Sequence, residues 1–289
     1  MTVDIGKVFS DTWAMIKQRW LAMIGLWAAF VGVLILFYIG TIIAAGTWFV
    51  TFADAFNGAG GFADATAYGG LGVGFVVITV LIMVGFYTII FGQFGSMVAM
   101  ASPTRRPTFR DAFGRGLKGG LTLIGVLILF LLAMIVVWLA LILVGLILSF
   151  LGQLGQWIML IGLFVGNIYV SCRFSVLVPV IVVERVFNPI KAINRTWEIT
   201  GGNVLRILVV MIVFTVLALL MLGVPYALLF AVVDLQGAGM GTAIATLIMV
   251  YVIFFAIFFG FMLFSTSMIA SLHAQISDTQ ASEFSKAFE

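Results

Sequence analysis

Covalent chemistry in this chain would have to come from very few side chains. It has one histidine, His273, and one cysteine, Cys172. A structural zinc site takes about four ligands, so this pair cannot build one. No Ser-His-Asp set assembles at one depth, because the acids lie between the apolar runs rather than in them. No GxxxxGK[ST] loop is present to cradle phosphate. A lone cysteine excludes an intrachain disulfide, and inside an apolar run Cys172 reads as a small packing residue. The expectation is a protein that is not an enzyme, with no metal and no cofactor.

Charge carries more signal. Arg105, Arg106, Arg110, Arg115 and Lys118 crowd one short stretch between two apolar runs. Beside an anionic leaflet each such residue contributes about 1 kcal/mol of attraction. Arg173 instead stands within an apolar run. A mid-span Arg costs roughly 2.5–3.5 kcal/mol on translocon scales, so it needs a partner or must snorkel to the headgroups. Glu184 lies eleven residues on, about 16 Å along a straight helix. The two would meet only if Pro179 broke the helix. Glu198, Asp111 and a lipid phosphate are the other partners considered. Arg173, Glu184, Arg195, Glu198 and Arg206 form the expected lipid-headgroup or structural charge site.

The elements that must position these groups are membrane helices. The chain is 64% hydrophobic and 9% charged, which no ordinary soluble domain matches. About 20 apolar residues cross a bilayer core. Six runs qualify, at roughly 21–51, 71–101, 121–150, 156–182, 204–233 and 241–272. No strict alternation supports a barrel, and the first run is too long for a cleaved signal peptide. Segments 53–70, 151–156 and 234–240 carry no Lys or Arg, only acids such as Asp54, Asp64 and Asp234. Lys7, Lys17, Arg19, the basic loop, Arg185, Lys191 and Lys286 all fall on the other side. Cytoplasmic loops retain Lys and Arg. This predicts a multi-pass protein of the bacterial cytoplasmic (inner) membrane, with both termini cytoplasmic.

The three inner segments resemble one another. Phe9, Asp11, Trp13 and Leu21 recur as Phe109, Asp111, Phe113 and Leu121, and Lys7, Thr12 and Trp13 recur as Lys191, Thr196 and Trp197. Phe9, Trp13, Trp20, Phe109, Phe113 and Trp197 put aromatics on helices whose other faces carry charge, the pattern of a helix lying in the interface. Thr108 with Asp111 resembles a capping box, and Asn188-Pro189 offers an N-cap followed by proline at the first helical position. The predicted fold is an all-α membrane protein of six transmembrane helices. It is organised as three pseudo-repeats, each a cytoplasmic interfacial amphipathic helix plus a helical pair. The whole of 1–289 is one membrane domain, with units of about 1–101, 102–182 and 183–273 and a tail over 274–289.

Small and hydroxylic residues predict where helices touch. Gly162 with Gly166, and Gly95 with Ala99, have small-xxx-small spacing. Ser265, Thr266, Ser267 and Ser271 cluster late in the sixth run and read as interhelical glue.

The stretch Arg173-Phe174, Pro179, Glu184, Pro189, Ala192, Arg195-Thr196-Trp197, Thr200-Gly201-Gly202 and Arg206 resembles the membrane domain of bacterial glycerophosphoryl diester phosphodiesterases and related stand-alone six-span proteins. The resemblance implies the six-helix module, a charged pair at Arg173 and Glu184, and an association with lipid metabolism. That family's hydrolase chemistry sits in a separate soluble domain, which this chain lacks. Three helical pairs with interfacial helices are also similar in architecture to mitochondrial carriers, but the proline-acid-basic motif of those proteins is missing.

The expected function is to bind, organise or move lipids or similar amphiphiles at the inner leaflet. The partners would be membrane lipids, anionic phospholipids above all, and not nucleic acid. A channel or transporter for a small polar solute is the first alternative. A structural subunit, in a homo-oligomer or larger membrane complex, is the second.

Overall fold

The structure is a computed structural model that describes residues 4–58, 65–104, 107–233 and 240–287. Asp64, Arg105, Arg106 and Asp234 lie outside the described residues. The described chain is all α-helix: α1 (Ile5–Gly58), α2 (Ala65–Ala101), α3 (Phe109–Ser149), α4 (Gln153–Phe174), α5 (Leu177–Val182), α6 (Pro189–Thr200), α7 (Val204–Val233) and α8 (Met240–Ala287). Six stretches are long and apolar enough to cross a membrane: Ile5–Thr51, Gly72–Ala101, Phe109–Ser149, Gln153–Val182, Val204–Gly223 and Ile244–Ser277. They coincide with the six apolar runs, and the chain is a multi-pass membrane protein.

Only one of the three amphipathic segments is a helix of its own. The first is continuous with its span in α1, whose 54 residues reach about 81 Å at 1.5 Å per residue. The second is the start of α3. The third is α6, bounded by Asn188, whose side chain accepts from Lys191 N, and by Gly201. Glycine position explains the difference. After α6, Gly202 has open space where a Cβ would be, and the chain turns there. In α3, a Cβ at Gly119 would lie 2.7 Å from Val182 Cγ1, and one at Gly120 would collide with the Thr88 carbonyl. Those glycines are held helical by close packing.

The fourth span is broken, but not at Pro179. α4 ends at Phe174 and the chain resumes helix at Leu177. Pro179 falls in the first turn of α5, where an N–H has no intrahelical acceptor to lose. α5 is buried along Leu177, Pro179, Val180, Ile181 and Val182, and it packs against α2, α3, α6 and α8.

The core gathers around α5. Val8, Met23 and Leu26 of α1, Met97 to Ala101 of α2, Val126 of α3, Ile199 of α6, Ile207 of α7 and Leu272 and Ile276 of α8 share one apolar core with it. Residues 274–276, expected to begin a tail, are the buried continuation of α8. Asp4 N donates to Gln275 Oε1 at 3.1 Å and Ser271 Oγ donates to the Val8 carbonyl at 3.1 Å, tying α1 to α8. Toward the other end of the bundle the apolar side chains are exposed, among them Phe49, Phe150 and Leu219.

The closest helix pair is α2 with α3. A Cβ at Gly116 would collide with Ser96 Oγ and the Gly92 carbonyl. Gly116 and Gly120 therefore supply the small-xxx-small contact. Gly162 and Gly166 have nothing within 4 Å, so that expected contact is absent within the described chain. The α3–α4 turn needs its own glycine, since Gly152 holds φ at +57°, a left-handed value costly for other residues.

Candidate functional site

Three groups of charge lie at the end of the bundle that carries α5 and α6. The turn between these helices sets two of them. Adjacent residues Glu184 and Arg185 point to different partners, and Arg185 is the non-glycine residue with positive φ among the described chain, at +64°. Left-handed backbone at such a residue costs about 1–3 kcal/mol and persists only where surroundings hold it.

On one side of the turn is a basic cleft of about 420 Å³, lined by Thr108, Arg110, Asp111, Gly114, Arg115, Lys118, Arg185 and Phe187. The start of α3 presents Arg110, Asp111, Gly114, Arg115 and Lys118 at helical spacing. Thr108 is its N-cap and accepts from Asp111 N at 3.3 Å. The reciprocal half of a capping box does not form. The Asp111 carboxylate instead takes Arg115 in a two-point pair, Nε to Oδ1 at 3.0 Å and Nη2 to Oδ2. Arg185 Nη2 approaches Asp111 Oδ2 at 3.5 Å. Arg115 is 8% exposed, so it is a fixed wall of the cleft, while Arg110, Lys118 and Arg185 are exposed. Four cations less one carboxylate leave a net of three positive charges on the lining.

On the other side, Glu184 bridges two elements. Its Oε2 accepts from Arg195 Nε of α6 at 3.1 Å, and its Oε1 accepts from His273 Nε2 of α8 at 2.9 Å. A carboxylate only accepts, so Nε2 carries the proton. Arg195 Nη1 also reaches Glu198 Oε2 at 3.2 Å. Burial pushes the Glu184 carboxyl up, but its hydrogen bonds and charge pairs with His273 and Arg195 outweigh burial and hold it below its ordinary value.

Arg173 belongs to neither cluster. Its Nε and Nη2 donate to Tyr169 Oη at 3.0 and 2.9 Å, and its Nη1 donates to the Trp197 carbonyl at 2.9 Å. The guanidinium lies 4.6 Å from the Trp197 ring centroid and 5.3 Å from that of Tyr169. Thr200 Oγ1 donates back to the Arg173 carbonyl at 3.3 Å. Arg173 thus caps the C-terminus of α6, where the last carbonyls favour a cation. Arg19 does the same for α2, donating from Nη1 to the Met100 carbonyl at 2.7 Å.

The predicted site residues therefore separate. Glu184, Arg195 and Glu198 meet, and Arg173 pairs with no acid among the described residues; its pairing with Glu184, expected only if Pro179 broke the helix, does not form. Arg206 joins none of the ion pairs among the described residues, and its buried Nη1 has no hydrogen-bond partner there. Of the five loop cations, Arg110, Arg115 and Lys118 line the cleft. Phe9 stacks on Phe264 at 6.2 Å and Phe113 packs on Phe30 at 4.5 Å, so both turn inward. Trp13, Trp20, Phe109 and Trp197 are exposed, and Lys17 lies over Trp13. Sequence reasoning assigned no role to His273 and used Arg185 only to orient the chain. Nothing in their spacing links them to their partners, whereas the i, i+4 pair Asp111–Arg115 was readable.

No family model, curated protein or solved structure matches this chain.

Proposed function

We propose that the chain is a non-enzymatic integral membrane protein that binds lipids or similar amphiphiles at the inner leaflet of a bacterial cytoplasmic membrane, both termini being cytoplasmic. The observation that carries this reading is the basic cleft at the start of α3, open beside a surface of exposed aromatic and aliphatic side chains. Such a cleft holds an anionic headgroup at the level where apolar helix faces hold its acyl chains. Arginine suits phosphate because its planar fork donates two parallel hydrogen bonds. Exposed Trp13, Trp20 and Trp197 at the same end are the aromatic anchors of a membrane interface. The three inner segments read as related units on this view. Thr12, Ala112 and Thr196 fall at equivalent positions and are each fully buried, and Thr12 and Thr196 each bond the carbonyl four residues back at 2.7 Å. The resemblance of 173–206 to phosphodiesterase membrane modules agrees with a lipid ligand.

Native mass spectrometry of the full chain in detergent, supplied with equal phosphatidylglycerol and phosphatidylcholine, tests the proposal. Phosphatidylglycerol should be retained preferentially, less so in Lys118→Gln and equally in Arg173→Ala, whose guanidinium is spent on protein groups. Equal retention of the two lipids would overturn it.

A further inference from the structure

Within that reading, and resting on it, we infer that the basic cleft is a phosphomonoester site, selective for a terminal, doubly ionisable phosphate over a phosphodiester. Two features of the lining point there.

The first is charge. The net of three positive charges exceeds what one phosphodiester anion can neutralise. A phosphomonoester carries about −1.5 to −2 at pH 7, because its second ionisation lies near pH 6, and it offers three acceptor oxygens rather than two. Charges brought together without full neutralisation repel, so the dianion is the better match.

The second is geometry. Asp111 already shows how the lining handles an oxyanion. Its carboxylate is gripped at two points by Arg115 and approached by Arg185 at 3.5 Å. Arg115 is buried and fixed by this pair, and Arg185 is held in a left-handed conformation that directs it to the same carboxylate. Lys118 lies one turn on from Gly114 and Arg115, exposed and without an ion pair among the described residues. Guanidiniums held at Asp111 on one side and an exposed ammonium on the other face the cleft. Together they can meet the three acceptor oxygens of a terminal phosphate, where a diester offers two.

The experiment is a competition read by native mass spectrometry, with phosphatidic acid, phosphatidylglycerol and phosphatidylcholine offered in equal amounts to the full chain. Phosphatidic acid should exceed phosphatidylglycerol about fivefold at pH 8. That ratio should fall toward one at pH 5, where the monoester carries a single charge. Arg185→Asn removes the guanidinium while tolerating left-handed backbone, and Lys118→Gln removes an exposed ammonium. Either should reduce the ratio at pH 8 without changing the melting temperature appreciably. Displacement by millimolar inorganic phosphate or glycerol 3-phosphate would assign the site to a soluble phosphomonoester, and resistance to displacement would assign it to a lipid one. Equal binding of phosphatidic acid and phosphatidylglycerol, both above phosphatidylcholine and unchanged with pH, would overturn the phosphomonoester inference and leave lipid binding intact. No preference over phosphatidylcholine would overturn both.

Discussion

Glu184 and Arg185 are neighbours whose side chains serve opposite purposes. Glu184 ties α6 and α8 to the end of α5 through Arg195 and His273, and Arg185 turns to Asp111 and lines the cleft. The first role is structural and predicts a pH dependence. The folded-state carboxyl of Glu184 titrates below its unfolded value. Its contribution is therefore full above about pH 4.3, the ordinary value for Glu, and is lost as pH falls through the folded value. Glu184→Gln should cost about 1.5–3 kcal/mol at neutral pH, the range for a hydrogen bond to a charged group. The gap between wild type and variant should close on acidification toward pH 3, as read by thermal melts in detergent. The charged Arg195, the titratable His273 and, through Arg195, Glu198 face this group. A gap that stays constant with pH would show that the carboxylate charge contributes nothing. The same residue scale shows what sequence could reveal. Arg173 was identifiable as a group needing partners, because its cost inside an apolar run is fixed by physics. Its partners were not, because Tyr169 and the Trp197 carbonyl are uncharged and a search for opposite charge passes them by.

Helices were the most legible elements, since apolar length alone identifies them. Their breaks were less so. Gly119-Gly120 and Gly201-Gly202 look alike in sequence, yet the first pair lies inside α3 and the second ends α6. Packing separates them: the first pair meets α2 backbone and α5 side chains, whereas beyond its own helix Gly201 meets only the Arg173 guanidinium and Gly202 meets nothing. The same logic separates two small-residue motifs that sequence cannot rank. Gly120→Val should destabilise the fold by about 1–3 kcal/mol, because β-branched bulk has no room against Thr88 and Gly92. Gly162→Ala should leave stability unchanged or raise it slightly, since its surroundings are open and alanine is the better helix former. Denaturation of both variants in detergent checks this, and equal losses would contradict the packing described for α2 and α3.

At the scale of the molecule, burial is uneven. In the fourth candidate span 39% of the most apolar window is buried, against 6% in each of the first three, because α5 sits at the centre of the packed end. Elsewhere the helices present apolar side chains outward, as a surface solvated by lipid requires. The packed end also gathers the cleft, the Glu184 bridge, two arginine helix caps and four exposed aromatics. Three cations of the basic loop, Arg110, Arg115 and Lys118, belong to that end. The most direct test is a cryo-EM map of the chain in nanodiscs containing anionic phospholipid. Headgroup density is expected in the cleft, within hydrogen-bond reach of the exposed Arg110, Lys118 and Arg185. A map with ordered lipid along the helices and an empty cleft would contradict it.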